Sequence, residues 1–481
     1  MAEELLDHLD DRQREVAAHV NGPMAVLAGA GTGKTRAITY RIAYAVKSGQ
    51  HDPRHILAVT FTAKAASEMR SRLRDLGVGN VQARTFHSAA LRQLSYFWPN
   101  AIGGHVPEIR ESKMPLVSQA AASLGMDVDR IAVRDLASEI EWSKVSLIAP
   151  DDYVMRAEAE GRPHVVDYSH AEIANLIKVY EEVKTERAVI DFEDVIIILI
   201  GIMRDRPDIA RQIREQYRHF VVDEYQDVSP MQHRLLQLWL GDRRDLCVVG
   251  DVSQTIYSFT GASASYLEDF KKSYPRARTV KLNRDYRSTP QIVDLANAMI
   301  EPIRSPASVE LVSAMKSGRP VHFHEYDDDA DQAANVAGRI LSLQESGTPL
   351  SDIAILYRIN AQSVEFESAL AQAGITSVVK DSQRFFERRE VREAMVALHA
   401  VARGPQRDDL PEVVEDTLRL VGWRPEAPEA GAAKEKWESL KAILNLATDV
   451  WDKRKASLSE FVAELQERAE LGNEPTTNAV T

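Results

Sequence analysis

The sequence predicts an α/β protein of several domains, and three observations lead to that fold class. Short apolar runs alternate with longer stretches of helical periodicity, which is the order typical of parallel-sheet proteins. A glycine-rich segment joins the first apolar run to the first long helical stretch, as in a strand, phosphate loop and helix unit. The chain has 481 residues, whereas single hydrophobic cores stop growing near ~250–300 residues. We therefore expect three or four domains.

The apolar runs mark the expected strands. The first, at 24–27, precedes the glycine-rich turn, and a helix is expected at 36–46. Four further runs have the length and apolar character of strands buried on both faces, at 56–59, 220–222, 246–249 and 353–356. Parallel strands present the residues that follow them at one edge of the sheet, where nucleotides bind.

A long segment between residues 87 and 220 is expected to be mainly helical, with helices at 169–185 and 194–203. Its position between two strands of the sheet indicates an inserted helical subdomain.

A second α/β region is expected from near residue 280, with a strand at 321–326 and a helix at 331–344. The acidic residues 327–329 indicate a solvated helix start, which the helix dipole favours, rather than a metal site. Phe385 and Phe386 are expected to pack in a core. Beyond them, helical patterns occupy 410–420, 434–447 and 458–470.

Composition indicates a cytoplasmic protein. Hydrophobic residues make up 44% and charged residues 27%, and no apolar run approaches the ~20 residues that span a bilayer. The N-terminal residues are acidic and amphipathic, unlike a secretory signal. The single cysteine, Cys247, can form no internal disulfide and lies in an apolar run, so we expect it to be buried in a strand. No membrane partner is expected.

The net charge of −13 argues against a generally basic surface, on which sequence-independent DNA affinity mainly depends. It leaves open a local binding groove, because contact depends on local charge rather than on the sum over the chain.

The glycine-rich segment has the pattern of a phosphate loop, except that alanine replaces the first glycine. Glycines let backbone N–H groups converge on phosphate oxygens, Lys34 supplies a positive charge, and Thr35 can ligate magnesium. A tight turn without a ligand is the alternative. The candidate nucleotide-binding residues of the loop are Ala28, Gly29, Ala30, Gly31, Thr32, Gly33, Lys34 and Thr35.

Asp223 and Glu224 follow the buried run at 220–222, and so belong at the same edge of the sheet. We assign Asp223 to the metal shell, with Thr35, and Glu224 to orienting or deprotonating the attacking water. An Asp-Glu pair alone would more often be an exposed loop, but the phosphate loop favours the functional interpretation.

Several segments beside the phosphate loop carry a family resemblance. In chain order they are Gln13, AGAGTGKT at 28–35, VTFTAKAA at 59–66, TFHS at 85–88, VVDEYQDVSP at 221–230, GDVSQTIY at 250–257, LNRDYRS at 282–288, YRINAQS at 357–363 and RFFER at 384–388. Together they resemble the UvrD/Rep/PcrA branch of the superfamily-one helicases, and within it most the second UvrD-type helicase group of actinobacteria.

The resemblance implies two RecA-like P-loop motor domains, the second incomplete, with inserted helical accessory subdomains. It implies ATP and Mg²⁺ as cofactors, movement on single-stranded DNA from three-prime to five-prime, action at duplex junctions in repair or replication, and DNA-repair protein partners. The expected divisions are 1–90 and 201–279 for the first motor domain, 91–200 and 386–475 for the helical subdomains, 280–385 for the second motor domain, and 476–481 for a connection.

The resemblance also assigns roles around the nucleotide. Gln13 would recognise adenine and Tyr286 would stack on it, with Arg36 beside the loop. Gln254 would sense the terminal phosphate, and Arg287 would act as an arginine finger. A guanidinium that arrives on closure stabilises charge on the phosphoryl oxygens, although a surface ion pair is the alternative for Arg287.

Aromatic residues are the main DNA candidates, because any base offers a face for stacking. Phe61 and Tyr257 are stacking candidates, with core packing as the alternative. Phe259 stands where relatives commonly carry tryptophan, which puts that contact in doubt, and a structural role is the alternative for His87. The remaining candidates are Thr62, Thr85, Arg358 and Asn360.

Two later family segments, of Leu-His-x-x-Lys-Gly-Leu-Glu type and Thr-Arg-Ala type, do not occur in the sequence. We therefore expect a chain that ends before the motor is complete, which binds nucleotide and couples its hydrolysis weakly to DNA. An ATP-dependent DNA-binding or regulatory module without unwinding activity is the alternative function. A helicase-nuclease subunit and a small-molecule phosphoryl transferase fit the residues less well.

Overall fold

The computed structural model describes residues 2–165, 167–379, 385–403, 409–428, 432–470 and 480. The chain forms two compact units, Met1–Pro320 and Val321–Thr481. Among the described residues, no helix combines the length and apolar character needed to cross a membrane.

The first unit is an α/β domain built on one parallel sheet. Its strands are β1 Met24–Ala28, β2 Ile56–Thr60, β3 Gln82–Thr85, β4 Glu108–Ile109, β5 Val189–Ile190, β6 His219–Val222, β7 Leu246–Gly250, β8 Arg278–Leu282, β9 Arg284–Asp285 and β10 Val312–Ser313. Six of them form the main sheet in the order β3-β2-β6-β7-β1-β8, and every pairing within it is parallel. The predicted α/β class is confirmed.

Strands β1, β2 and β7 are buried along their whole length, because helices cover both faces of this sheet. The helices of the first unit are α1 Asp11–Ala18, α2 Lys34–Lys47, α3 Ala63–Asp75, α4 Phe86–Ala101, α5 Met114–Ser123, α6 Arg130–Val145, α7 Tyr153–Ala159, α8 His170–Glu186, α9 Asp194–Asp205, α10 Pro207–Gln216, α11 Pro230–Leu240, α12 Ser265–Glu268, α13 Phe270–Ser273 and α14 Pro290–Ile300. Cys247 is buried in β7, as predicted.

Strand β8 pairs along its length with β1, so residues 278–282 belong to the main sheet of the first unit. The expected start of a second motor domain at residue 280 stays a prediction.

The second unit is helical in its described part. Its helices are α15 Asp329–Glu345, α16 Ser363–Gln372, α17 Arg389–Ala402, α18 Leu410–Leu420, α19 Ala432–Arg454 and α20 Leu458–Glu470. Asp328 caps α15 by accepting a hydrogen bond from the backbone N–H of Asp331 at 2.8 Å, which confirms the acidic cluster as a helix start. Phe385 and Phe386 are buried in the core of α17 to α20, also as predicted.

The strands expected at 321–326 and 353–356 are wrong, since neither segment is a strand. Phe323 is 81% exposed and Leu356 is 94% exposed. An apolar run becomes a strand only when a neighbouring segment pairs with its backbone, and the run itself does not supply that neighbour. Among the described residues of this unit, the β-type pairing is one isolated parallel bridge, between Ser377 and Val480.

The helical insertion of the first unit contains a buried group of ion pairs. Lys144 Nζ lies 2.7 Å from Asp191 Oδ2, and Lys184 Nζ lies 2.6 Å from Asp194 Oδ2. Tyr180 donates its hydroxyl to Asp191 at 2.9 Å. The two ammonium groups lie among the carboxylates of Glu181, Asp191 and Asp194, so this acidic group is held by lysines rather than arranged for a metal.

Asp191→Ala is expected to lower the free energy of unfolding by about 3–5 kcal/mol, because it removes the most buried of the carboxylates that the two buried ammonium groups share. The control is Asp205→Ala, which removes an exposed pair with Arg204 and should cost less than about 0.5 kcal/mol. Urea unfolding measures both. Equal losses in the two variants would contradict the prediction.

Candidate functional site

The phosphate loop lies between β1 and α2, where the sequence predicts it. Gly31 and Gly33 have φ angles of 70° and 77°, a conformation that favours glycine. A Cβ on Gly31 would lie 2.2 Å from Asp285 Oδ1, so this position also needs glycine for space. Ala28 is the last residue of β1 and is fully buried. It has a strand conformation, which explains why alanine can stand where the loop pattern has glycine.

Lys34 begins α2 and its Nζ lies 3.3 Å from Glu224 Oε2. Thr35 is the next residue, in the first turn of the same helix. Helix N-termini favour anions, because unpaired backbone N–H groups point along the axis. A phosphate at this end would meet Lys34, and Glu224 would be released from its ion pair to act on water.

Asp223 follows β6 directly and is 7% exposed. Burial first, and then the neighbouring Glu224 carboxylate, raise the pKa of Asp223 to about 7. Glu224 itself has φ 51°, in the left-handed region that a residue with a side chain adopts at a cost of roughly 1–3 kcal/mol. The carboxylate of Asp223 and the backbone of Glu224 are therefore both held in unfavourable states, as is usual where chemistry is performed.

Magnesium fits the donor set at this edge. Asp223 offers a buried carboxylate and Thr35 a hydroxyl, and Mg²⁺ prefers oxygen ligands completed by water and substrate phosphates. A bound cation would favour the ionised carboxylate of Asp223, and so would lower its raised pKa. Thr35 and Asp223 would hold the ion, and the ion would supply charge for the phosphates.

Residues expected at the base lie together beside the loop. Asp10 caps α1 by accepting a hydrogen bond from the Gln13 backbone at 2.8 Å, and it also accepts the Tyr286 hydroxyl at 2.5 Å. Gln13 Nε2 donates to the Thr32 carbonyl at 3.0 Å. Burial, and then the hydrogen bond of the Tyr286 hydroxyl to Asp10, raise the pKa of Tyr286 to about 12. An open pocket adjoins this group, lined by Asp10, Asp11, Arg12, Thr32, Leu282, Asn283 and Arg284.

The segment after β9 lies against the phosphate loop. Tyr286 donates its backbone N–H to the Gly31 carbonyl at 3.0 Å. Asp285 is buried, and its Oδ1 accepts the backbone N–H of Arg287 at 2.6 Å. Arg287 is thus the residue directly after the loop contact of Tyr286, and its side chain is exposed. Its role as an arginine finger stays a prediction.

Arg36 lies on the exposed side of α2 and donates to the His8 carbonyl at 2.9 Å. Its guanidinium lies 5.1 Å from the centre of the Tyr40 ring. The structure therefore holds Arg36 by contacts with the protein, and its place beside the nucleotide stays a prediction.

Gln254 follows β7 at the same edge, and its Nε2 donates to Asp251 Oδ2 at 2.6 Å. Asp251 in turn donates its backbone N–H to Gln226 Oε1 at 3.1 Å. Gln226 Nε2 donates to Glu224 Oε2 at 2.9 Å. A continuous chain of hydrogen bonds thus joins Gln254 to Glu224.

Three aromatic rings continue from this edge. The Phe61 and Tyr257 rings lie 4.6 Å apart, and the Tyr257 and Phe259 rings 6.4 Å apart. Phe259 is 69% exposed, and Phe61 and Tyr257 are partly exposed, so core packing is not their role. Because Phe61 follows β2 and Tyr257 follows β7, the sheet brings them to the edge that carries Lys34.

His87 stacks on Phe192, with ring centres 3.9 Å apart, and Phe192 is 51% exposed. Burial first, and then Lys113, lower the pKa of His87 to about 4, so His87 is neutral at physiological pH. Thr62 and Thr85 use their hydroxyls to cap α3 and α4. All these residues lie on the first unit.

Arg358 belongs to the second unit, where its side chain is exposed and its backbone N–H donates to Gln362 Oε1 at 3.0 Å. Asn360 begins a short 3-10 turn, but its side chain lies outside the described residues. Arg384 and the expected connection at 476–479 and 481 also lie outside them.

Sequence reasoning missed Asp10, Gln226, Asp251, Asp285 and Phe192. Three of them, Gln226, Asp251 and Asp285, lie inside segments that the sequence singles out, and Asp10 precedes the helix that carries Gln13. Their partners come from strands far apart in the chain, so motif reading alone gave them no role. A polar residue that follows a predicted buried strand was the signal available for Gln226 and Asp251.

A parallel sheet with a phosphate loop, an acidic pair on the neighbouring strand and a glutamine after the next defines the class of nucleotide-hydrolysing P-loop motors. Comparison with known sequences then gives the family. The model of the UvrD/REP helicase N-terminal domain matches residues 9–275, and that of the UvrD-like helicase C-terminal domain matches residues 280–426. The chain belongs to the UvrD/REP helicases, which hydrolyse ATP and have RecA-like motor folds.

Three relatives illustrate the range of similarity. The chain is 45% identical to the ATP-dependent DNA helicase UvrD2 of Mycobacterium tuberculosis, over 99% of this chain and 70% of that protein. It is 33% identical to DNA helicase II of Salmonella typhimurium, over 87% and 58%. It is 30% identical to the ATP-dependent DNA helicase PcrA of Staphylococcus aureus, over 87% and 57%.

Lys34→Ala is expected to reduce ATP turnover by about 10²–10³-fold or more while the protein stays folded, because the charge at the outer phosphates is lost. Phosphate release and circular dichroism measure the two effects. The matched control is Lys47→Ala at the exposed end of the same helix, which should keep its turnover. Near-normal turnover in a folded Lys34→Ala protein would reject the assignment.

Asp223→Asn is expected to stabilise the nucleotide-free protein more at pH 8 than at pH 5. The pKa of Asp223 rises from 3.8 to about 7, so the folded state binds the proton more tightly than the unfolded state. That contribution to stability is complete below about pH 4 and is lost as the pH rises through 7. Asparagine carries no charge to bury. Thermal unfolding across this pH range tests the prediction, and an equal shift at both pH values would contradict it.

Proposed function

We propose that the protein is an ATP-driven DNA translocase that moves on single-stranded DNA from three-prime to five-prime and separates strands at duplex junctions. Mg²⁺ held by Thr35 and Asp223 is the cofactor of ATP. Repair or replication is the proposed setting, with DNA-repair proteins as partners. The names of the relatives, three of which are given above, support a DNA substrate.

One observation carries the proposal. The residues for ATP and the aromatic rings for DNA bases lie at the same edge of one sheet and are joined by hydrogen bonds from Glu224 to Gln254. A change at the nucleotide phosphates can therefore move the segment that bears Tyr257 and Phe259. A motor needs such a link between fuel and track, whereas a small-molecule kinase does not.

The DNA surface of the first unit is proposed to contain two aromatic groups. The first is Phe61, Tyr257 and Phe259, and the second is the His87 and Phe192 stack. Stacking on aromatic rings is sequence-tolerant and contributes about 1–3 kcal/mol per base. This contribution does not depend on the net charge of −13, whereas contact with the phosphates depends on local charge.

Tyr257→Ala is expected to weaken single-stranded DNA binding by about 1–3 kcal/mol, because a stacking surface is lost. Fluorescence anisotropy with a labelled oligothymidine measures the affinity. The matched control is Tyr96→Ala, since Tyr96 is 72% exposed on α4 and has no role in the proposed track. Equal weakening by both variants would argue against the proposed surface.

Direction of movement is tested with single strands that carry streptavidin at one end. A translocase of three-prime to five-prime polarity clears streptavidin from the five-prime end in the presence of ATP and Mg²⁺, and much more slowly from the three-prime end. The ratio of the two rates reports direction even where turnover is slow. Faster clearance from the three-prime end would overturn the polarity, and DNA binding without clearance from either end would favour the regulatory module.

A further inference from the structure

Asp10 joins two segments that are far apart in the chain. It precedes α1, and its Oδ1 accepts the backbone N–H of Gln13 at 2.8 Å. Its Oδ2 accepts the hydroxyl of Tyr286 at 2.5 Å, from the segment after β9. An N-cap needs only the first of these bonds, because one oxygen satisfies the backbone donor at the helix start. The second bond therefore has a purpose other than capping α1.

The Tyr286 ring is held by other contacts as well. Its backbone N–H donates to the Gly31 carbonyl at 3.0 Å, which places the residue beside the phosphate loop. The Arg284 guanidinium lies 5.5 Å from the centre of the ring, within the range of a cation–π contact. The residue is nevertheless 41% exposed. Contacts at its backbone, ring and hydroxyl thus hold an aromatic surface that a flat ligand can still reach.

Gln13 is the second group that Asp10 fixes. It is 4% exposed, and its Nε2 donates to the Thr32 carbonyl of the loop at 3.0 Å. Glycine at position 33 leaves space for this amide, because a Cβ on Gly33 would lie 2.6 Å from Gln13 Nε2. An amide can exchange hydrogen bonds with the edge of a heterocyclic base, and an aromatic ring can stack on its face. The two groups therefore complement different parts of one base.

We propose that Asp10 is the positioning residue that sets the affinity of the ATP site for the base, because its two oxygens fix the Tyr286 ring relative to the helix that carries Gln13. This proposal rests on the proposed function, in which ATP is the fuel. A base can meet an edge group and a face group together only where both already lie at the right separation. Ordering them during binding would lower the affinity.

The phosphates do not require this arrangement, because Lys34 and the loop hold them from the other side. Asp10 is therefore expected to influence a ligand that carries a base and to leave a ligand of phosphates alone almost unaffected. The helix also has a second tie to the sheet, since Arg278 of β8 pairs with Glu15 of α1 at 2.8 Å. Loss of the bond between Asp10 and Tyr286 should consequently leave the fold intact.

The experiment compares two ligands of the same loop, titrated calorimetrically in the presence of Mg²⁺. A non-hydrolysable ATP analogue carries the base, and inorganic triphosphate does not. In Asp10→Ser the hydroxyl can still cap α1, but the side chain is one atom shorter and does not reach Tyr286. The variant should bind the analogue about tenfold more weakly, as expected for one lost hydrogen bond to a charged group. Its affinity for triphosphate should stay within about twofold of the wild type.

Tyr286→Phe is the second variant, since it removes the hydroxyl and keeps the ring. It should weaken binding of the analogue by the same factor as Asp10→Ser. The double variant should be no weaker than either single variant, because all of them lose the same bond. Asp10→Asn should recover part of the affinity, since its amide can donate to the Tyr286 oxygen. Additive effects in the double variant would show that Asp10 acts through α1 alone, and would overturn the proposal.

The matched control is Asp129→Ser, the same substitution at the cap of another helix. Asp129 caps α6 by accepting the backbone N–H of Ala132 at 2.7 Å. This variant should keep both affinities. An unchanged affinity of Asp10→Ser for the analogue would reject the role of Asp10. A wild-type protein that does not bind the analogue would instead overturn the proposed function, so the two failures are distinguishable.

Discussion

Parallel pairing of six strands is the constraint on which the rest of the site depends. Strands β1, β2, β6 and β7 are adjacent or nearly adjacent in the sheet and all run in one direction. Their carboxyl ends consequently meet at one edge. Lys34, Phe61, Asp223 and Gln254 are far apart in sequence, yet each follows one of these four strands. A single architectural fact thus brings together the groups proposed to bind phosphate, metal and DNA bases.

Two residues at this edge oppose folding, and the burial of the surrounding strands offsets their unfavourable free energy. Asp223 is a buried carboxylate with a raised pKa, and Glu224 has a left-handed backbone. Both states oppose folding, by about 1–3 kcal/mol for the backbone of Glu224. The flanking strands are buried along their whole length, and this burial offsets the unfavourable groups. Replacements that relieve the burial of charge should therefore stabilise the protein and impair it.

The helical insertion contributes a rigid support beside the sheet. Its buried lysines hold Asp191 and Asp194, the residues on either side of Phe192 and Glu193. Phe192 remains half-exposed and stacks on His87, which lies in the first turn of α4. Lys113 pairs with Glu193 at 2.7 Å and adds a further tie at the same turn. The ion pairs therefore hold the Phe192 ring in place on the surface. A freely moving ring would lose more conformational entropy on binding, and its contribution to affinity would be smaller.

The sequence by itself determined the features that depend only on residues close together in the chain. The phosphate loop, the helix ends at 410–420 and the burial of Cys247 follow from glycine conformation and apolar periodicity over a few residues. Tertiary structure decided what depends on distant partners. It pairs β8 with β1, leaves 321–326 and 353–356 outside any strand, and brings Gln226 between Glu224 and Asp251. Hydrogen-bond pairing between strands and buried polar contacts require two segments to meet, and no local pattern specifies the second one.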